Sequence, residues 1–536
     1  MLTRAKAVAW CLLCLPQFGA AQQAPAAPAA PPLRIEYTIA MPEVSSHLYA
    51  ITLTVGGLRG RSVNLQLPVW SPGRYGRMDF AKNVQDLAAT AADGTPLHWD
   101  RINGSLWRVA LGASRSVRVS YRVFANAPMS GTFSVLDSAH ANWNGASLFM
   151  YVEGHKQDPV SLDVTVPDGW TIMNGDVKSA GQRHFGFLNY DLLIDTPTEV
   201  APAGAFSMDS FVVDNRNYRV MIHYNGHPPA GAHERFVRDV ERVVRYENGV
   251  FGAPPLERYT FLFNIGFPGG DGMEHLYSTQ IQNRRLWSDT AQVLPGIGSA
   301  AHEYFHVWNV KRVRPAALGP FDYTREQYQP SLWVAEGWTQ YYGEVALHRA
   351  AIEDTAAFYR RMASVIQANL SAPGRKAVSA RTASFEAPFW DGAPQAQPVN
   401  FENTFFDYYT KGAGIALYLD LFLRHQTNNA KALDDAFNNL KARSWGAAKA
   451  SYYLQGRGYT EDDVEQAVSA AAGSNMHDWF ERHVGGIEDM DYDEALGWAG
   501  LTLVRDGPQW RIEPLPDATA SQLRIREGWL SGRVNR

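Results

Sequence analysis

The fold class this sequence predicts is an α+β multidomain protein, with an antiparallel β-sandwich first and a mainly helical domain after it. Three observations lead there. At 536 residues the chain is too long for one small core. Short alternating runs separated by turn residues fill the stretch 33–224. From His233 onward the apolar period lengthens from two to between three and four. A hydrophobic fraction of 46% with 19% charged residues is that of an ordinary folded protein. The net charge of -5 offers no basic field, so no nucleic-acid partner is expected.

At the N-terminus, Arg4 and Lys6 precede an apolar run from Ala7 to Leu15, followed by Pro16 and the small residues Gly19, Ala20 and Ala21. This is the pattern of a secretory signal peptide, residues 1–21, cut after Ala21. The run falls well short of the roughly 20 apolar residues a membrane span requires. The expectation is export to the periplasm or beyond, with no stable membrane insertion after cleavage. Cys11 and Cys14, the only two cysteines, lie inside this segment, and Leu13 is too large for the small residue a lipoprotein site wants. The mature chain then draws its stability from its cores and not from disulfides. Residues 22–33, mostly "QQAPAAPAAPP", form an extended Ala/Pro linker.

Residues 34–210 carry runs such as "HLYAITLTVGG", "SVRVSYRVFA" and "PVSLDVTVPDGW", with β-branched and aromatic residues at alternate positions. No catalytic residue types cluster there, which suits a structural or substrate-shaping domain. Residues 211–485 form the second domain. In it "HERFVRDVERVVRYENGVFG" reads as an amphipathic helix, Tyr259 to Ile265 as a strand, and Gly266 to Gly272 as a loop that lets backbone approach something closely. Helices follow at Gly298–Asn309, Leu332–Arg349, Thr355–Leu370, Gly412–His425, Ala430–Arg443, Thr460–Ala471 and Met476–Val484. Residues 486–536 are too few for a further domain of ordinary size.

The chemistry centres on "SAAHEYFHVWN", residues 299–309. On a helix, His302 and His306 share one face and can aim two imidazole nitrogens at one ion. Glu303, about 100° round the helix, reaches a water at that ion instead of the ion itself. This is HExxH, whose chemistry is water activated at zinc and deprotonated by the glutamate. Because an isolated HExxH also arises by chance, the third ligand decides. Asp322 and Glu326 lie in a proline-bounded loop. Glu336 is a lone carboxylate in the apolar "SLWVAEGWTQYY", expensive to bury unless it is paired or bound to metal. It is the best third ligand; the competing role is a structural pair with Arg312 or Arg314.

"HEYFHVWNVKRVRP" followed by "LWVAEGWTQYY" resembles the glycyl aminopeptidase family of gluzincin metallopeptidases, metallopeptidase family 61. "LPVWSPGRYGRMDFAKNVQDL" is similar to that family's N-terminal domain signature. The resemblance implies a β-sandwich followed by a thermolysin-like catalytic domain, with one Zn2+ per chain on His302, His306 and Glu336. "GGDGMEHLYS" resembles the element with which larger aminopeptidases bind a free α-amino group. Glu274 matches the binding glutamate, flanked by Gly272 and Met273, and His275 stands where those families have asparagine. "DYYTKGAGIALYLD" is similar to an element whose tyrosine stabilises the oxyanion. Tyr409 is the match and Tyr408 its immediate rival. Asn309, Lys311, Arg312 and Arg314 are assigned supporting work. Gln340 stands where other gluzincins place an aspartate that orients the first histidine.

The implied activity is hydrolysis of the N-terminal peptide bond of peptides with a free amino terminus. Glu303 is the base and small residues such as glycine or alanine are preferred. Tyr259 to Ile265 is expected to pair with the substrate backbone as an added strand. The alternatives are a zinc endopeptidase and a non-peptidase hydrolase on the same scaffold. Family members often carry a C-terminal PDZ domain, but 36 residues follow Gly500 and no carboxylate-binding loop is recognisable. No PDZ-type docking is therefore predicted.

Overall fold

A computed structural model describes residues 31–127, 131–179, 181–391, 400–445 and 457–534. The expected signal peptide and nearly all of the Ala/Pro linker lie outside the described residues. All of the strands and helices belong to the unit Leu33–Arg536.

The first half is β-rich, as its alternation predicts. A six-stranded sheet runs in the order His184–Phe187, Val160–Thr165, Arg34–Ala40, Leu48–Gly56, Ser116–Phe124 and Val84–Thr90. Ser116–Phe124 buries every second residue, the signature of a strand with one face on the core. Two four-stranded sheets complete this half. One feature departs from a purely antiparallel sandwich: Arg34–Ala40 pairs in parallel with Val160–Thr165. More than a hundred residues separate these strands, so no hairpin dictates their relative direction.

Strand Phe206–Val213 runs through the expected boundary near Ser210 and pairs with Arg216–Tyr224. That hairpin opens a mixed five-stranded sheet, continued by Arg258–Ile265, Ser278–Asn283 and Gly270–Glu274. The amphipathic helix Ala232–Phe251 is the crossover between the two parallel strands Arg216–Tyr224 and Arg258–Ile265. Arg258–Ile265 is buried along nearly its whole length and paired on both sides. It therefore cannot accept substrate as an added strand, contrary to the sequence expectation. Its continuous apolar run is what a central parallel strand, covered on both faces, requires. The edge strands are Phe206–Val213 and Gly270–Glu274.

The remaining elements are mainly helices, close to the expected positions. The stretch 332–349 is not one helix but two, Leu332–Ala335 and Gly337–Arg349, with Glu336 at the break. Nδ2 of Asn309 donates there to the carbonyls of Val334 and Ala335 at 2.9 and 3.3 Å. Helix Tyr408–Gln426 crosses at the same point. A Cβ on Gly337 would lie 2.4 Å from Cα of Gly412, so only two glycines permit the crossing. Residues 492–531 fold as two short helices and a hairpin on this helical body, with Trp529 fully buried and its Nε1 donating to Tyr341 Oη at 2.9 Å. Among the described residues no helix is long and apolar enough to cross a membrane.

Candidate active site

His302 lies in the last turn of helix Ile297–Phe305, and His306 follows its end. Gly343 lets the second half of the broken helix press against this turn, since a Cβ there would sit 3.1 Å from the His302 backbone nitrogen. Nε2 of His302 is 3.1 Å from Nε2 of His306. Oε2 of Glu336 is 3.6 and 3.2 Å from those two nitrogens. A tetrahedral ion with bonds of about 2.0–2.1 Å has donor atoms roughly 3.3 Å apart, so the three fit a single catalytic zinc with its fourth position open.

The electrostatics agree with a cation at this point. Glu303, Glu336 and Glu274 are all nearly inaccessible. Burial alone would lower the His306 imidazolium, but Glu336, Glu274 and Glu303 overcome it and push its pKa up to about 10. Glu336 is held well below the usual carboxylate range, because His306 and His302 outweigh the cost of its burial. The Nδ1–H of His306 donates to the carbonyl of Asn309 at 2.5 Å, which fixes the tautomer that turns Nε2 toward the centre. Nδ1 of His302 is buried with no hydrogen-bond partner among the described residues. Gln340, at the position other gluzincins give to an orienting aspartate, donates instead to Glu344 at 2.8 Å. Neither competing pairing of Glu336 forms: its partners are His302, His306 and Tyr75, while Arg312 donates to the Val307 carbonyl.

Gly272 explains why the glycine-rich loop matters, since a Cβ on it would lie 2.0 Å from Oε1 of Glu303. Glu303 thus occupies the space a side chain would take. Burial pushes the Glu303 carboxyl well above its usual range; His306 opposes this, and Glu274 and Glu336 add to it. Ligand atoms of Glu274, Glu303 and His306 lie within 4.8 Å of one another. Oε1 of Glu274 is buried and has no hydrogen-bond partner among the described residues. Strand alternation places Gly272 and Glu274 in the wall of a cavity of about 440 Å3. Met273 points the other way: it is fully buried and packs against Gly73 and Gly131, so it is not a substrate contact.

Tyr409 lines the same cavity and stacks on His302 with ring centroids 6.2 Å apart. Tyr408 instead donates to Asp391 at 2.9 Å. Burial, then Glu336 and Asp391, raise the Tyr409 phenol well above its usual value, so it stays protonated and able to donate.

Residues 36–202 match the model of the peptidase M61 N-terminal domain, and residues 296–415 that of the M61 glycyl aminopeptidase. The chain belongs to the M61 glycyl aminopeptidase family. Among solved structures it resembles the aminopeptidase N family protein of Idiomarina loihiensis, with a TM-score of 0.79 and 27% identity over 88% of this chain and 80% of that one. The M1 zinc metallopeptidase of Deinococcus radiodurans aligns with a TM-score of 0.46 and 16% identity, over 82% of this chain and 90% of its own. No curated protein matches the chain.

The M61 N-terminal domain contributes side chains to the site that residue patterns did not single out. Oη of Tyr75 donates to Oε1 of Glu336 at 2.6 Å. Nη2 of Arg74 reaches both carboxylate oxygens of Asp271, beside Gly272, and Nε donates to Thr132 at 3.1 Å. Gly73, at φ +85°, lets this turn lie against the strand Gly270–Glu274: a Cβ there would come within 2.7 Å of Oε2 of Glu274. The signal was present in "SPGRYG", where Arg74 and Tyr75 stand between two glycines inside the family's N-terminal signature.

Proposed function

We propose that this M61 protein is an exported zinc aminopeptidase that removes small N-terminal residues from peptides. One observation carries the reading: a buried carboxylate oxygen without a partner among the described residues, Oε1 of Glu274, shares a cavity with the donor triad of His302, His306 and Glu336. A peptide ammonium satisfies that oxygen and sets the distance from the amino terminus to the first peptide bond.

Zinc on the triad would supply Lewis acidity to the attacking water and to the scissile carbonyl. The chain's own residues do the rest. Glu303 accepts a proton from the attacking water and returns it to the leaving amine, a transfer suited to a carboxyl whose burial raises its proton affinity. Tyr409 donates its phenolic hydrogen to the oxygen on which negative charge develops. Glu274 holds the ammonium. Next to Glu274, Trp70, Tyr75, Val310, Leu318 and Phe321 leave a cavity of only about 20 Å3. That is room for roughly one water-sized group and supports glycine or alanine at the amino terminus.

Glu303→Gln is the direct test, with zinc content and the rate on glycyl and alanyl peptides measured together. Retained zinc with a rate lower by several orders of magnitude supports the general base, and an unchanged rate refutes the mechanism. Acetylating the substrate's amino group separates this reading from an endopeptidase. An enzyme anchored through Glu274 loses most of its rate, whereas an endopeptidase does not.

A further inference from the structure

A second cavity, about 870 Å3, opens off the catalytic one, and the two share Gln340, Glu344, Arg361 and Tyr409 in their walls. Gly73, Asp271 and Glu274 border only the first; Val293, Val365 and Trp510 border only the second. A peptide whose ammonium sits at Glu274 therefore crosses the donor triad and leaves past Tyr409 into the second space.

The shelf there is built by the C-terminal segment. Trp510 is half-buried in the loop that joins the hairpin strands Leu501–Val504 and Arg511–Pro514. Its backbone nitrogen donates to Oε1 of Gln367 at 3.1 Å, and Nε2 of Gln367 donates to the Pro508 carbonyl at 2.9 Å. These two bonds pin the hairpin to helix Thr355–Ser371. At the passage between the cavities, Arg361 is held by Glu353 at 2.7 Å and by Glu344 at 3.0 Å. Both carboxylates engage Arg361 within the protein, and Val293, Val365 and Trp510 supply apolar surface in the wall beyond it.

We propose that the second cavity receives the substrate beyond the scissile bond, with Trp510, Val293 and Val365 forming a shelf for a bulky apolar residue directly after the cut. This rests on the aminopeptidase reading and adds to it a second specificity: a small residue before the bond, a large apolar one after it. The asymmetry follows from about 20 Å3 on one side and about 870 Å3 on the other.

The test compares kcat/KM for Gly-Phe-Gly and Gly-Gly-Gly in the zinc-loaded full chain and in Trp510→Ala and Val365→Ser. The thermal midpoint of each variant shows that it folds. The native chain should prefer Gly-Phe-Gly by at least about tenfold, and in both variants that ratio should fall toward one. A native ratio near one, or a ratio that survives both substitutions, overturns the shelf. If neither tripeptide releases glycine, the aminopeptidase reading fails, and the shelf with it.

Discussion

Oη of Tyr75 lies 2.6 Å from Oε1 of Glu336, so the β-rich N-terminal domain hydrogen-bonds the carboxylate that completes the donor triad. The bond occupies one oxygen and leaves Oε2 facing the two histidines. Partners of this kind orient a ligand, and their loss typically weakens metal affinity by about 10–100-fold. Tyr75→Phe keeps the ring that packs edge-on against Tyr408 and removes only the hydroxyl. Zinc retention against a competing chelator should fall by about that factor with little change in thermal midpoint of the metal-free protein. Unaltered zinc affinity would show that the contact does not orient Glu336.

The neighbouring tyrosines separate by partner. Tyr409→Phe should lower kcat on alanyl peptides by about 10²–10³, the cost of losing one oxyanion donor, while zinc content is kept. Tyr408 spends its hydroxyl on Asp391, so Tyr408→Phe should stay within a few-fold of the native rate. The reverse order of effects in steady-state assays would reassign the donor.

Gly272→Ala tests the close packing of strand and base. The added methyl would meet Oε1 of Glu303 at 2.0 Å, and the carboxyl must move. A displacement of about 1 Å at a catalytic group costs on the order of 100-fold. The expected result is a rate reduced by about that factor with zinc retained, read by activity and metal analysis on one preparation. A variant with native kcat would mean that Glu303 has room to adjust.

The candidate donor triad was legible in the sequence because HExxH and a buried lone carboxylate are local signals. The fold class was legible for the same reason, as alternation and helical period are properties of short windows. What escaped is non-local. Nothing near Leu332–Arg349 announces that Asn309 will take the Val334 and Ala335 carbonyls and break the helix at Glu336. The same holds for Tyr75, which is 261 positions from its partner. The hydrophobicity of Arg258–Ile265 marks it as buried, yet its place at the sheet centre depends on pairings formed with both neighbours, and these removed it as a substrate strand. Met273 was misassigned for a simpler reason: a motif written as consecutive letters hides the alternation of the strand that carries it.

Asp195 joins the two halves of the site, and its ionisation carries a pH signature. Its Oδ1 lies 2.9 Å from Nζ of Lys311 and 3.1 Å from Nδ1 of His275, and its Oδ2 accepts the backbone N–H of Leu276 at 2.8 Å. Burial opposes the charge, but Lys311 and His275 more than offset it and hold the carboxyl below its ordinary value. A carboxylate depressed in the folded state contributes stability that is complete above its unfolded pKa of about 3.9 and disappears as pH falls through the lower folded value. Asp195→Asn should therefore destabilise the protein by about 3–5 kcal/mol near neutral pH, because it strands a buried lysine. Thermal midpoints of the two proteins should converge as pH drops below about 3.9, since the native chain loses there what the variant never had. A gap that holds constant into that acid range would mean that Asp195 is protonated in the folded protein, and that hydrogen bonding without charge joins Lys311 to the turn after Glu274.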